Sequence, residues 1–362
     1  LVTSDDHIWA VETGWDRDDN WAKYRRPSRA KAHSSRPWCV PRVSREDLKT
    51  VTTKTIRDRL ASGAWERGGR WAIPLITGPA QFLARPIPID AYALGIWLGD
   101  GGLTTTTPVL TTADAEIVEA IRASLRGADV LRARGGYDYR VRGGDLAGKL
   151  RGLGLMGHGA ATKFIPECYL WNDPAVRLAL LQGLLDTDGT ILKHSNSVSY
   201  STVSPLLAEG IEFLVRSLGG ITRRRMRQTH YTYRGERRCG QPSYHLSVRL
   251  PNGVSPFRLE RKRSYVKPKG TRNAPRRYIV GCESAGEGGG VCFQVAHPSH
   301  LYVADEAFIL THNTTGVIMA CAAVAEELRT KGFKDFPLIV AFVRDTWENL
   351  KRTSLAAFKE NR

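Results

Sequence analysis

No two cysteines of this chain stand as Cys-x-x-Cys; the six, at 39, 168, 239, 282, 292 and 321, are scattered. That argues against a zinc ribbon or a disulfide framework and for a reducing, cytoplasmic compartment. No apolar run reaches the ~20 residues that a membrane-spanning helix needs, and no secretory signal is visible. A membrane partner is therefore not expected. The run Gly286-Glu287-Gly288-Gly289-Gly290 has no Gly-Lys ending, so it reads as a connector between strands and not as a phosphate loop. Acid is short: 36 Asp and Glu face 53 Lys and Arg, a formal net charge of +17. Such a surplus points to a polyanionic partner, nucleic acid first. What is present is a globular composition, 42% hydrophobic, in 362 residues. That is enough chain for two or three domains with cores of their own.

One stretch organises the rest: Leu181-Gln182-Gly183-Leu184-Leu185-Asp186-Thr187-Asp188-Gly189. It closes an apolar run that opens with Asp173-Pro174, an N-cap residue followed by proline at the first helical position. The spacing predicts a helix that ends at an acidic turn, with glycine just past it. A second copy, Ala93-Leu94-Gly95-Ile96-Trp97-Leu98-Gly99-Asp100-Gly101, is opened by Asp90. Both copies place glycine third and end in Asp-Gly. Glycine inside a helix costs about 1 kcal/mol, so it needs a reason. Close approach of two helix backbones is one. Packed side by side, these helices would bring Asp100 and Asp188 out at one end. Two adjacent carboxylates there make a hard-oxygen site suited to Mg²⁺.

At these residues the chain resembles the LAGLIDADG, or dodecapeptide, homing endonucleases. In that family two such helices form a pseudo-twofold interface, and each contributes a carboxylate to the divalent metal ions that cut double-stranded DNA. The resemblance assigns that role to Asp100 and Asp188. Between and after the motifs the pattern repeats, with an amphipathic helix among strand-like runs. Asp188 follows Asp100 by 88 residues, a plausible length for one αββαββα unit. The link contains Lys163-Phe164-Ile165-Pro166, similar to the Lys-x-Ile-Pro block of intein endonucleases. That similarity implies that Lys163 sits near the metals and stabilises charge on the cleaved phosphate. An exposed lysine near DNA is the plainer reading.

The basic surplus is concentrated. Residues 221–277 hold seventeen Lys or Arg against only Glu236 and Glu260, with tyrosines interleaved. So dense an imbalance favours phosphate contact, and basic strands could lay one face in a major groove. The expected DNA-contacting residues are Arg140, Arg142, Lys193, Arg223, Arg224, Arg225, Arg227, Arg234, Arg237 and Arg238.

The two ends carry a different chemistry. Near the far end, His300 precedes a β-rich run to His312-Asn313-Thr314. An asparagine side chain can attack its own carbonyl and break the Asn-Thr bond; His312 can donate a proton, and the Thr314 hydroxyl can act as nucleophile. This looks like the C-terminal junction of an intein, in which His300 fits the position that assists cyclisation. Ser4-Asp5-Asp6-His7 resembles the intein Thr-x-x-His block, with Ser4 for threonine and His7 protonating the upstream scissile amide. Gln294 stands where inteins often carry aspartate. The chain starts Leu1-Val2-Thr3, inside that block. A longer product is expected, with the upstream nucleophile outside this sequence and C-terminal cleavage at Asn313 still open to it.

After Asn313 the character changes to an apolar helix opened by Thr314-Thr315 and a strand, Phe336 to Arg344. With Arg344-Asp345-Thr346 and Leu350-Lys351-Arg352-Thr353, this resembles the large terminase subunit of tailed phages. The source implied is a phage or prophage in a bacterial cell. The fold class expected is α+β: a two-repeat endonuclease at 86–274, inserted in an all-β Hint-type splicing domain split between 1–85 and 275–313. A short α/β host segment, 314–362, follows, and the protein is expected to be a monomer. Two rivals stay open: a DNA-binding, maturase-like protein without nuclease activity, and a packaging ATPase with an inert insertion.

Overall fold

A computed structural model describes residues 3, 5, 7–11, 48–62, 71–125, 127–133, 136–192, 197–266, 276–286, 295 and 300–312. The chain forms two compact units, one of 1–75 with 272–362, the other Ile76–Thr271. The first unit opens with β1 (Ile8–Val11), which pairs antiparallel with β2 (Lys49–Thr52). Helix α1 (Thr53–Ala61) follows, its first turn capped by the Thr52 hydroxyl, which accepts from Thr55 N. Strand β3 (Ala72–Pro74) comes from the apolar run at Trp71.

The second unit contains two copies of one arrangement. The first copy runs α2 (Ala91–Gly99), β4 (Gly101–Gly102), β5 (Val109–Thr111), α3 (Ala115–Ser124), β6 (Ala128–Arg132), β7 (Asp138–Gly143) and α4 (Leu146–Gly152). A short helix, α5 (Glu167–Leu170), links it to the second. The second runs α6 (Pro174–Thr187), β8 (Gly189–Leu192), β9 (Ser197–Thr202), α7 (Pro205–Ser217), β10 (Ile221–Tyr233), β11 (Glu236–Arg249) and α8 (Glu260–Arg263). The sheets have one topology, β4-β5-β7-β6 and β8-β9-β11-β10, all antiparallel. The caps are those the sequence predicts. Asp90 accepts from Ala93 N at 3.0 Å, Asp173 from Val176 N at 2.9 Å, and Pro174 begins its helix. The apolar faces of α2, α3, α6 and α7 and the inner faces of both sheets share one core.

The unit starts earlier than the proline-marked boundary at 85. Ala80 N donates to Ser217 O, Arg177 donates to Ala80 O, and Asn172 brackets the Arg85 backbone on both its N–H and its carbonyl. Phe82 packs on Trp171 and Phe213. The prolines stiffen a segment that is already docked.

The first unit resumes with β12 (Arg276–Tyr278), paired to β3, and the hairpin β13 (Leu301–Ala304) with β14 (Ile309–His312). Trp9, Val11, Ile56, Trp71 and Ile73 form its small core. Among the described residues, no helix is long and apolar enough to cross a membrane.

Candidate functional site

Glycine at the third motif position brings α2 and α6 together. A Cβ on Gly95 would land on Leu180 O and come within 2.9 Å of Gly183 Cα. One on Gly183 would land on Tyr92 O, 3.0 Å from Gly95 Cα. No side chain fits between the two backbones, so each glycine exists for the other. Each helix then ends on its aspartate. Asp100 N donates to Ile96 O at 2.9 Å and Asp188 N to Leu184 O at 3.2 Å. Asp100 and Asp188 are thus the C-caps of neighbouring helices.

The two carboxylates feel their surroundings. Burial, and next the charge of Asp188, push Asp100 up to about 6. Burial also raises Asp188, against the pull of Lys163, of the Tyr200 hydroxyl 3.4 Å away, and of Lys262. Beside Asp188 lies a cleft of about 330 Å³, lined by Gly99, Lys163, Ser201, Thr229 and Ser243 among others. Among the described residues no third His, Cys, Asp or Glu joins the pair.

Lys163 is close to both carboxylates, but its ammonium is committed elsewhere. It donates to the carbonyls of Trp97, Leu98, Gly99 and Gly101, at 2.7 to 3.3 Å. A helix end leaves such carbonyls without partners and carries partial negative charge, so a buried cation there is favourable. This lysine holds the turn that presents Asp100, and its burial corrects the plainer reading of an exposed lysine. Lys262 does the same for Asp188. Its ammonium meets Leu185, Asp186, Thr187 and Gly189 carbonyls at 2.6 to 3.2 Å, the same four positions 88 residues on. Burial, with Arg261 beside it, brings Lys262 down to about 8. Asp186 helps to place it, accepting from Tyr92 Oη at 2.8 Å and from the backbone of Arg258 and Leu259.

The sequence reading missed Lys262. It lies inside Arg261-Lys262-Arg263, where it looks like one more surface charge, and no Ile-Pro follows it. Its 6% exposure separates it from its neighbours.

The sheets sort the arginines by face. Buried Val198, Tyr200, Leu246, Val248 and Thr222 occupy one side of the second sheet. Alternation then puts Arg223, Arg225 and Arg227 on the open side, in register with Ser247, His245 and Ser243. Ser201 Oγ stands 2.9 Å from His245 Nδ1 on that face. In the first sheet Leu110, Val130 and Val141 face the core, and Arg140 and Arg142 face out. Arg224 differs from its neighbours. It lies on the side of α7, 3.4 Å from Glu209 and 3.6 Å from Glu212. Arg234, Arg237 and Arg238 stand beyond the sheet, at the tip of the β10–β11 hairpin. Lys193 lies outside the described residues.

In the other unit three candidate histidines gather. His7 Nε2 is 2.5 Å from Thr311 Oγ1, across 304 residues of sequence. The pairing of Leu301 with His312 sets His300 against His312, ring centroids 5.7 Å apart. Burial and then the charge of His312 lower the pKa of His7. Ser4, Gln294, Asn313, Thr314 and the terminase-like segment lie outside the described residues.

Comparison with known proteins gives four results. The chain is 30% identical over 318 residues to the replicative DNA helicase DnaB of Mycobacterium intracellulare, covering 87% of this chain and 48% of that protein. It is 49% identical over 69 residues to the ATP-dependent DNA helicase Hel308 of Thermococcus kodakarensis, covering 18% of this chain and 6% of that one. The chain thus spans about half the length of the first relative and far less of the second. A crystal structure of I-DmoI in complex with DNA and Ca is 17% identical with a TM-score of 0.30, over 45% of this chain and 83% of that one. Finally, residues 175–248, from the second motif helix into β11, match the LAGLIDADG-like domain.

Proposed function

We propose that this chain is an intein whose inserted unit is a metal-dependent endonuclease that makes a site-specific double-strand break in DNA. The observation that carries the nuclease reading is the pair of carboxylates at adjoining helix ends. The donors are oxygen only, both are raised by burial, and Asp100 is raised further by its neighbour. A cation relieves that repulsion, so the residues fit one. A divalent ion, Mg²⁺ by its preference for hard oxygen, would be held by Asp100 and Asp188 and would supply Lewis-acid stabilisation of the scissile phosphate. Lys163 and Lys262 fix the turns that present the carboxylates. Tyr200 orients Asp188 by its hydroxyl. The outward arginines of both sheets hold the duplex through phosphates, which sets position and register.

The splicing reading rests on His7, His300 and His312 meeting in one small unit. His312 would assist breakage of the Asn313-Thr314 bond, with Thr314 as the hydroxyl nucleophile and Ser4-to-His7 as the upstream block. The relatives fit an insertion carried by different hosts, since similar sequence occupies limited parts of differently named helicases. The segment from Thr314 onward is read as the start of a terminase large subunit, on its own Arg344-x-Thr and Leu350-Lys-x-Thr pattern.

Cutting is tested on a supercoiled plasmid that carries the host coding sequence without the insertion, the upstream host codons joined directly to that of Thr314. Cleavage in Mg²⁺, none in EDTA, and none by Asp188→Asn is the expected result. Binding without cutting under every condition leaves a DNA-binding protein instead. For splicing, intact mass should show loss of the segment from Thr314 onward, and Asn313→Ala should prevent that loss.

A further inference from the structure

The contact between the two motif glycines is twofold, but the residues that flank it are not. Gly95 faces Leu180 O and Gly183 faces Tyr92 O, in each case the carbonyl three residues before the other glycine. Gly183 follows Gly95 by 88 residues, and the same offset makes Leu180 the equivalent of Tyr92 and Asp186 the equivalent of Leu98. Across the helix pair, the side chain three before one glycine meets the side chain three after the other. Tyr92 Oη donates to Asp186 Oδ2 at 2.8 Å. The twofold turns that contact into Leu180 opposite Leu98. All four side chains are buried. One side of the crossing is thus a polar pair and the other an apolar pair.

Two further contacts run in one direction only. The Arg258 guanidinium lies over the Tyr92 ring at 4.3 Å, while its Nε donates to Gln182 Oε1 at 2.8 Å. Aligned on the two buried lysines, Arg258 of the second repeat corresponds to Gly159 of the first, which has no side chain to lay over Leu180. Arg261 donates through Nε and Nη2 to Asp114, the N-cap of α3, both at 2.6 Å. The equivalent N-cap, Ser204, donates instead to the carbonyl of Lys163 at 2.6 Å.

A second copy of this chain offers the same two helices as partners. An α2–α2 pair sets Tyr92 against Leu98 twice, and buries two hydroxyls without an acceptor. An α6–α6 pair sets Asp186 against Leu180 twice. Each carboxylate then keeps only the backbone donors of its own repeat, Arg258 N and Leu259 N. A buried polar group that loses its partner bears the whole cost of its desolvation. The pairing of α2 with α6 satisfies both groups at once.

We infer that Tyr92 and Asp186 choose the partner of each motif helix: they make α2 accept α6 and refuse a second α2, so the chain closes its own helix pair instead of exchanging repeats with another copy. Specificity of this kind lies in making the wrong pairings worse. It goes beyond the nuclease reading and needs neither metal nor DNA.

The test moves the carboxylate from one helix to the other. In the double variant Leu98→Asp, Asp186→Leu, α2 carries both the phenol and the acid and α6 carries neither, so each helix matches its own kind. Sedimentation velocity of the full chain gives the readout. Linked repeats meet at an effective concentration of about 1 mM, so a dimer at about 10 μM reports a preference for like pairing of ~100-fold or more. Wild type should be a monomer and the double variant a dimer. Tyr92→Leu with Asp186→Leu removes the preference altogether and should stay a monomer, because linkage alone then decides. A folded Leu98→Asp, Asp186→Leu variant that remains monomeric, destabilised or not, overturns the inference, since the pair then adds stability without choosing a partner. A dimeric wild type overturns it as well. Should that variant not fold, urea midpoints of Tyr92→Phe, Asp186→Leu and the two together decide: a combined loss smaller than the sum supports the pair, and additive losses overturn it.

Discussion

A single methyl group tests the helix contact. Gly95→Ala or Gly183→Ala puts a Cβ against the facing backbone, where nothing can rotate away. Overpacking of a tight core costs ~1–3 kcal/mol, and rigid backbone on both sides places these variants at the upper end. A urea titration should show a lower midpoint with an unchanged slope. Lys262→Met and Lys163→Met should each lose about 2 kcal/mol by the same measurement, since each strips a buried cation from four carbonyls. The glycines were legible because a repeated glycine inside an apolar helix has few physical reasons to exist. Asp100 and Asp188 were legible with them, as the residues that end each copy. Lys163 was legible as a motif, yet the direction of its ammonium was not, because sequence cannot say whether an ammonium points at solvent or into a helix end. Lys262 was hidden by the very charge density that flagged its neighbourhood. His7 adds a pH dependence. Its folded pKa lies below the ordinary 6.5, so below pH 6.5 the unfolded chain binds more protons. Stability of its unit should therefore fall as pH drops from 6.5 towards the folded value, by at most about 1.4 kcal/mol per pH unit. His7→Gln should flatten that slope in melts from pH 7 to 5.

At the scale of elements, alternation along β10 makes a sharp contrast between adjacent arginines. Arg225→Ala should reduce the salt slope of DNA binding by about 0.9, because it faces the open side of the sheet. Arg224→Ala should leave that slope unchanged while losing its pairs with Glu209 and Glu212. Equal effects of the two would show that the strand does not present one face to DNA. The sequence offered both residues as one basic run, since four arginines among five positions carry no period of two. The face is set by Leu246 and Val248 on the partner strand, a pairing no single segment displays. The helices were easier: Asp90, Asp173 and Pro174 mark their starts by local hydrogen bonding, which needs no partner element. Strand length was harder. Beyond Met226 the hairpin has no buried side to pattern it, so its extension left no periodic signal.

For the whole molecule, the consequence of insertion is two cores that do not share a residue. Trp9, Val11, Ile56, Trp71 and Ile73 belong to one, and the large cluster from Ile89 to Leu259 to the other. The charge shift around 275 hinted at this division, although the docked segment at 76–85 looked like a linker. Cores of such unequal size should unfold at different points, so a single two-state transition is not expected. Tryptophan reports on both: Trp9 and Trp71 sit in the small core, Trp97 in the large one. Gly95→Ala should then move only the transition of the 76–271 unit, and acidification should move only the other. Distant sites without shared partners add within ~0.3–0.5 kcal/mol, so the double perturbation should equal the sum. A single coincident transition, shifted alike by the glycine substitution and by pH, would show that the chain folds as one cooperative body and that the insertion has merged with its host.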